Sequence, residues 1–215
     1  MIDNKYTTYT NPLTDRYCSK DMSYIFSPQF KFSTWRKLWV ALAEGEHELG
    51  INITEEQLEE LRANVDNINF EEARKIEKEV RHDVMSHVKA YGMQCEKAKG
   101  IIHLGATSAY VGDNTDVIQM TEALKLIRIK LVNLINNLKE FSLKYKDMPA
   151  LGFTHFQAAQ LTTVGKRATL WAQDLLIDLE DLNFRIENMK LRGVKGTTGT
   201  QACLLYTSDA ADDSL

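Results

Sequence analysis

The chain has no run of about 18 apolar residues and no apolar core segment behind its N-terminus, so neither a membrane span nor a secretory signal is supported. Cysteine is scarce. Cys18, Cys95 and Cys203 are too few and too scattered for a disulfide framework or a metal site, and a reduced, cytoplasmic setting follows. Strongly basic patches are missing beyond short Lys/Arg clusters, and the net charge of -4 argues against a nucleic-acid partner. What remains, 215 residues at 44% hydrophobic and 26% charged, is the makeup of a soluble globular protein of one or two domains.

Helical signals run along almost the whole chain. Trp35, Leu38, Trp39, Leu42 and Leu49 recur at helical spacing from about Ser33, and Gly50 stands where a C-cap belongs. Thr54-Glu-Glu-Gln57 fits a capping box for a short helix through Arg62, and Asn69 can cap another toward Glu79. From Val117 to Phe141 apolar residues repeat in steps of three and four, the seam of a coiled-coil-like helix. Ile118, Leu126, Ile129, Val132 and Ile135 lie off that seam, so this helix is apolar on more than one face and belongs inside a bundle. Pro149 and Gly152 end it, and a second long helix is predicted from near Leu161, carrying Val164, Ala168, Trp171, Leu175, Leu182 and Met189. Two long helices cannot bury this much apolar surface by themselves. Either the chain associates or it is incomplete.

Three polar segments interrupt the helical pattern. Gly100 to Asp116 strings His103, Gly105, Thr107, Ser108, Asp113 and Asp116 ahead of the long helix. Hydroxyl residues at a helix start are ordinary N-caps, and they are equally an anion seat, because side-chain O–H and backbone N–H groups converge there. Arg81-His82-Asp83-Val84-Met85-Ser86-His87 sets a cation, an imidazole and a carboxylate side by side. Gly152 to Arg167 holds His155 between the Thr154 hydroxyl and the Gln157 amide. Of the remaining histidines, His47 among Glu44, Glu46 and Glu48 reads as a solvated surface residue, and His87 reads as structural rather than catalytic.

These three segments, with Thr14-Asp-Arg-Tyr17 near the start and Arg192-Gly-Val-Lys-Gly-Thr-Thr-Gly-Thr-Gln-Ala202 near the end, resemble the adenylosuccinate lyase family of the fumarase/aspartase superfamily. The likeness runs from about Asp15 to Ala202, with the blocks in the family's order and spacing. Ala158 departs from the pattern, since the family usually carries Pro there. The resemblance implies an all-α fold: an N-terminal helical domain over residues 1–106, then over 107–202 the first long helices of a central helical bundle. Residues 203–215 do not resemble the family and are expected to be a non-native tail on an N-terminal fragment, because family members are about twice as long. The part beyond includes a mobile serine loop that supplies the catalytic base, so the fragment alone is expected to be inactive.

The implied reaction is cleavage of a C–N bond by β-elimination, releasing fumarate from adenylosuccinate to leave AMP, and from the succinyl-carboxamide ribonucleotide of purine synthesis. Such chemistry needs a base for a weakly acidic C–H, charge stabilisation for a carbanion-like intermediate, and an acid for the departing nitrogen. Carried over by position, His155 is the general acid and His82 its partner in orienting substrate. Arg16 and Tyr17 grip the phosphate, Arg81 and Asp83 hold the nucleotide, and Thr107 and Ser108 bind the succinyl carboxylate. No metal or organic cofactor is implied. The partners implied are a small-molecule nucleotide substrate and three further copies of the full-length chain in a homotetramer, with no nucleic acid or membrane. A sister fumarate-releasing lyase and a non-catalytic helical assembly protein are the alternative readings, the first separated by a substrate panel and the second by loss of catalytic residues.

Overall fold

A computed structural model describes residues 11–201; the expected tail at 203–215 lies outside the described residues, as does Cys203. After a one-turn π-helical segment, Leu13–Tyr17, seven α-helices follow: α1 (Lys20–Ile25), α2 (Pro28–Glu48), α3 (Glu55–Ala63), α4 (Phe70–Val80), α5 (Asp83–Gly92), α6 (Ser108–Lys144) and α7 (Val164–Asn188). Between α6 and α7 lies an antiparallel hairpin of β1 (Pro149–Thr154) and β2 (Gln157–Thr163). The chain divides into two compact units, one built from the residues up to Gln119 together with those from Leu191 on, the other from Met120–Lys190.

The first unit has the larger core. α2 runs through it with Trp35, Leu38, Trp39 and Leu42 buried against Leu58 and Leu61 of α3, Val84 and Tyr91 of α5, and Tyr110 and Val111 of α6. Its start is fixed by Ser27, whose hydroxyl accepts from the Phe30 N–H, with Pro28 at the first position. Its end is followed by Gly50 at φ 87°, the left-handed conformation glycine adopts freely. The capping box of Thr54 and Gln57 forms as the sequence indicates, and Asn69 caps α4 by accepting from the Glu72 N–H. The Arg36 guanidinium is buried, donating to the carbonyls of Asn64 and Asn67 and lying 4.2 Å from the Tyr91 ring centre. That arrangement compensates a cation that burial alone would not tolerate.

His87 is buried beside it, stacked on Phe32 with ring centres 3.7 Å apart and edge-on to Trp35. Burial first, then the Arg36 charge, push its pKa down to about 4, with Asp83 opposing, so the ring is neutral and serves packing. His47 is exposed, and its Nδ1 bonds the Ile53 carbonyl at 2.7 Å.

In the second unit the long helix and α7 leave many of their large apolar residues on exposed faces. Ile127, Ile129, Val132, Leu134 and Phe141 of α6 and Leu170, Trp171, Ile177 and Phe184 of α7 are all exposed. Fully buried are only Ala123, Ser142, Gly165 and Ala168. The expectation that two long helices leave apolar surface uncovered therefore holds for this unit. Gly165 is required by close packing, because a Cβ there would stand 2.3 Å from the Ser142 carbonyl oxygen.

Two boundaries differ from the sequence reading. The long helix starts at Ser108 rather than Val117 and is about 55 Å long at 1.5 Å per residue. The polar run that looks like loop is helical because Asn114, Thr115 and Gln119 are buried, two of them bonding chain segments outside the helix. The second long helix begins at Val164, not Leu161, because residues 157–163 pair with β1 and the Thr163 hydroxyl then accepts from the Lys166 N–H as N-cap.

Candidate active site

His82 sits at the joint between α4 and α5. Arg81 ends α4 in the left-handed region, φ 52°, with its N–H donating to the Glu77 carbonyl, and the turn it makes lets His82 enter α5 as N-cap. The Met85 N–H donates to His82 Nδ1 at 3.4 Å, so the neutral ring keeps its proton on Nε2 and directs it to Ser108 Oγ, 3.3 Å away. Asp83 Oδ1 lies 3.5 Å from the same Nδ1. Arg81, His82 and Asp83 are all exposed.

Ser108 is the first residue of α6 and Thr107 precedes it. The first N–H groups of a helix have no carbonyl four residues back, so the Ser108 and Ala109 amides point outward with the positive end of the helix dipole. Thr107 is different. Its N–H donates to the Lys195 carbonyl at 3.1 Å, which leaves its hydroxyl, not its amide, for a ligand. Thr107 and Asp113 line a cleft of about 50 Å³ whose other wall is Arg192, Gly193 and Lys195. A larger surface groove, about 660 Å³, is lined by Ile76, Val88 and Met93 among others and holds none of the candidate residues.

His103 adds a second imidazole near His82. Trp39 Nε1 donates to its Nδ1 at 3.0 Å, and burial followed by the nearby His82 hold its pKa below the ordinary histidine value. Its backbone sits in the left-handed region, at φ 68°. Arg16 and Tyr17, expected at the phosphate, stand exposed on the π-helical turn without a polar contact among the described residues. The structure thus brings His82, Asp83, Arg81, Thr107 and Ser108 to the start of α5 and α6 and does not join Arg16 or Tyr17 to them.

His155 belongs to the second unit and occupies the tip of the hairpin. Thr154 pairs with Gln157, leaving His155 and Phe156 as a two-residue turn with φ 51° and 61°. Positive φ at both central positions is the type I′ pattern that Gly and Asn usually fill. Its occupation by His and Phe costs on the order of 1 kcal/mol each, strain of a kind that collects at functional positions. Both side chains are exposed. Ala158, where the resembled family usually carries Pro, pairs with Phe153 beside a register shift in the hairpin.

A family model described as Lyase matches residues 20–208. The chain belongs to the lyase family. The adenylosuccinate lyases of Saccharomyces cerevisiae and of Schizosaccharomyces pombe are each 54% identical to it over 203 residues, 93% of this chain and 42% of theirs. This lyase chain thus spans less than half the length of those relatives. A crystal structure of 3-carboxy-cis,cis-muconate lactonizing enzyme from Pseudomonas putida superposes with a TM-score of 0.79 at 24% identity, over 94% of this chain and 48% of that one, a likeness of fold. Among the described residues of the lyase chain no helix is long and apolar enough to cross a membrane, and no group of three or more His, Cys, Asp or Glu side chains is placed to hold a metal ion.

Sequence reasoning passed over Asn114, Arg192 and Lys195 of this site. Asn114 is buried on α6 and bonds the chain at Arg192 and Gly193, and Lys195 lines the cleft. The signal for Asn114 was an amide at a position where a helix faces the core; in the sequence it reads as one more polar loop residue.

Proposed function

We propose that the full-length protein is an adenylosuccinate lyase of purine nucleotide synthesis, a homotetramer of the cytoplasm, and that this chain supplies part of its active site. The observation that carries the reading is the 54% identity to two adenylosuccinate lyases over 93% of the chain. In the reaction a base takes the proton from the carbon beside a succinyl carboxylate, and the electron pair left behind forms the double bond of fumarate as the C–N bond breaks. The departing nitrogen takes a proton from His155, which the hairpin tip presents to solvent. His82, with one ring nitrogen toward Ser108 and the other beside Asp83, orients the substrate. Thr107 and Ser108 receive the succinyl carboxylate at the start of α6, Arg81 and Asp83 hold the nucleotide, and Arg16 and Tyr17 take the phosphate, an arginine fork suiting paired oxygens. On this reading residues 107–202 open the central bundle, and the exposed apolar faces of α6 and α7 are covered by other copies of the chain. The same enzyme acts on the succinyl-carboxamide ribonucleotide.

Fumarate release followed by absorbance tests the reading. The full-length protein should cleave both nucleotides, whereas the 215-residue chain alone should not, since the resemblance places the base beyond residue 202. A full-length protein inactive on adenylosuccinate but active on another succinyl compound would replace this reading with the sister lyase.

A further inference from the structure

Asn114 lies on the second turn of α6, 1% exposed, and every polar atom of its side chain is engaged. Nδ2 donates to the Tyr110 carbonyl at 2.7 Å and to the Gly193 carbonyl at 3.2 Å, while Oδ1 accepts the Arg192 N–H at 2.7 Å. The side-chain amide therefore pairs with the backbone of two successive residues, as a neighbouring strand would, across a separation of 78 positions. Two turns earlier, just before α6 begins, Thr107 N–H donates to the Lys195 carbonyl at 3.1 Å. Residues 192–195 are thus tied at both ends to the first two turns of α6, with Val194 packed on the core between the ties and Gly193 bending the chain at φ 72°.

We propose that Asn114 is a positioning residue for the carboxylate end of the substrate. It holds the 192–195 segment across the start of α6, and so keeps Arg192 and Lys195 at the cleft they line with Thr107. The proposal rests on the lyase reading given above. A carboxylate bound by the Thr107 hydroxyl and the first amides of α6 would have two cations on the facing wall, opposed by the single Asp113 carboxylate of the same cleft. Asparagine is needed rather than aspartate. With two carbonyl oxygens facing its Nδ2, an oxygen at that place would turn two attractions into repulsions while keeping the shape and the bond from Arg192.

Two variants test this from opposite ends. Asn114→Asp removes the donor; Gly193→Ala acts on the exposed segment, where a Cβ meets nothing within 4 Å but positive φ becomes strained, so the core is left alone. In the full-length protein each should raise KM for adenylosuccinate at least about tenfold with kcat within about threefold, the pattern of lost ground-state binding; a merely structural role would lower the active fraction and leave KM alone. In the 215-residue chain, tryptic cleavage after Arg192 and Lys195 should accelerate about tenfold in both variants relative to cleavage after Arg128 within α6. Unchanged KM in Gly193→Ala overturns the positioning role even if Asn114→Asp fails to fold, and unchanged cleavage overturns the clamp. A wild-type protein without lyase activity would overturn the function on which the proposal rests, and the cleavage rates would then decide the clamp separately.

Discussion

Glu46 offers a sharp test of how the first unit is held together. It lies on α2 at 2% exposure, and neither carboxylate oxygen has a hydrogen-bond partner. The neighbouring Tyr110 hydroxyl gives no help, since it donates to the Leu38 carbonyl at 2.7 Å. Burial accordingly pushes the Glu46 pKa up from 4.5 to about 7. The folded protein then holds a proton between those two values that the unfolded chain has released, so stability is fully present below pH 4.5 and is lost as pH rises through 7. At about 1.4 kcal/mol per unit the loss amounts to about 3 kcal/mol by pH 8. Glu46→Gln removes the ionisation and keeps the shape. Urea unfolding followed by fluorescence of the buried Trp35 and Trp39, at half-unit steps from pH 5 to 8, reads the difference between variant and wild type, in which all other titrations cancel. The variant should gain on the wild type as pH rises, by about 2.5 kcal/mol between pH 5 and 8. A difference flat to within about 0.5 kcal/mol would show that the carboxylate is hydrated or bonded in solution and that α2 packs less tightly than described.

His87 titrates in the opposite sense: its folded pKa of about 4 lies below the unfolded 6.5, so its stabilisation is present above 6.5 and is lost as pH falls toward 4. His87→Phe should keep the stack on Phe32 and move the acid-unfolding midpoint lower, as circular dichroism would record; an unchanged midpoint would deny the neutral buried ring. Gly165→Ala forces a methyl against the Ser142 carbonyl and should cost the hairpin and α7 about 2 kcal/mol or more, seen as lost hydrogen-exchange protection there and none at α2. The exposed apolar faces of α6 and α7 should make the 215-residue chain self-associate, and a clean monomer at micromolar concentration in analytical ultracentrifugation would count against the proposed assembly.

Local chemistry explains which elements were legible in the sequence. Thr54, Asn69 and Gly50 each act within four residues of themselves, so caps and helix ends can be read from neighbours alone. The apolar repeat from Val117 likewise survives because helical spacing is local. The hairpin was hidden for the opposite reason. Residues 157–163 hold helix-forming Gln, Ala and Leu, and the turn residues His155 and Phe156 carry no Gly or Asn to announce it, so only pairing with β1 decides the conformation. At the site, the cluster of His82 with Ser108 spans 26 positions and could be anticipated only through family resemblance. The ties of Asn114 to Arg192 and Gly193, and of Trp39 to His103, span 64 positions or more and had no sequence signature at all.

The measurement that bears most directly on the proposed chemistry is kcat of His155→Gln in the full-length protein, with His47→Gln beside it. Glutamine keeps hydrogen-bonding capacity and loses the titrating proton, and general acid catalysis contributes on the order of 10²–10⁴-fold to such rates. His155→Gln should lose at least about a hundredfold in kcat, with melting temperature and tetramer content little changed, while His47→Gln, an exposed residue bonded only to the Ile53 carbonyl, should alter neither. A near-normal kcat, or activity lost only through unfolding, would contradict the assignment and turn attention to His82 or His103 as the proton donor.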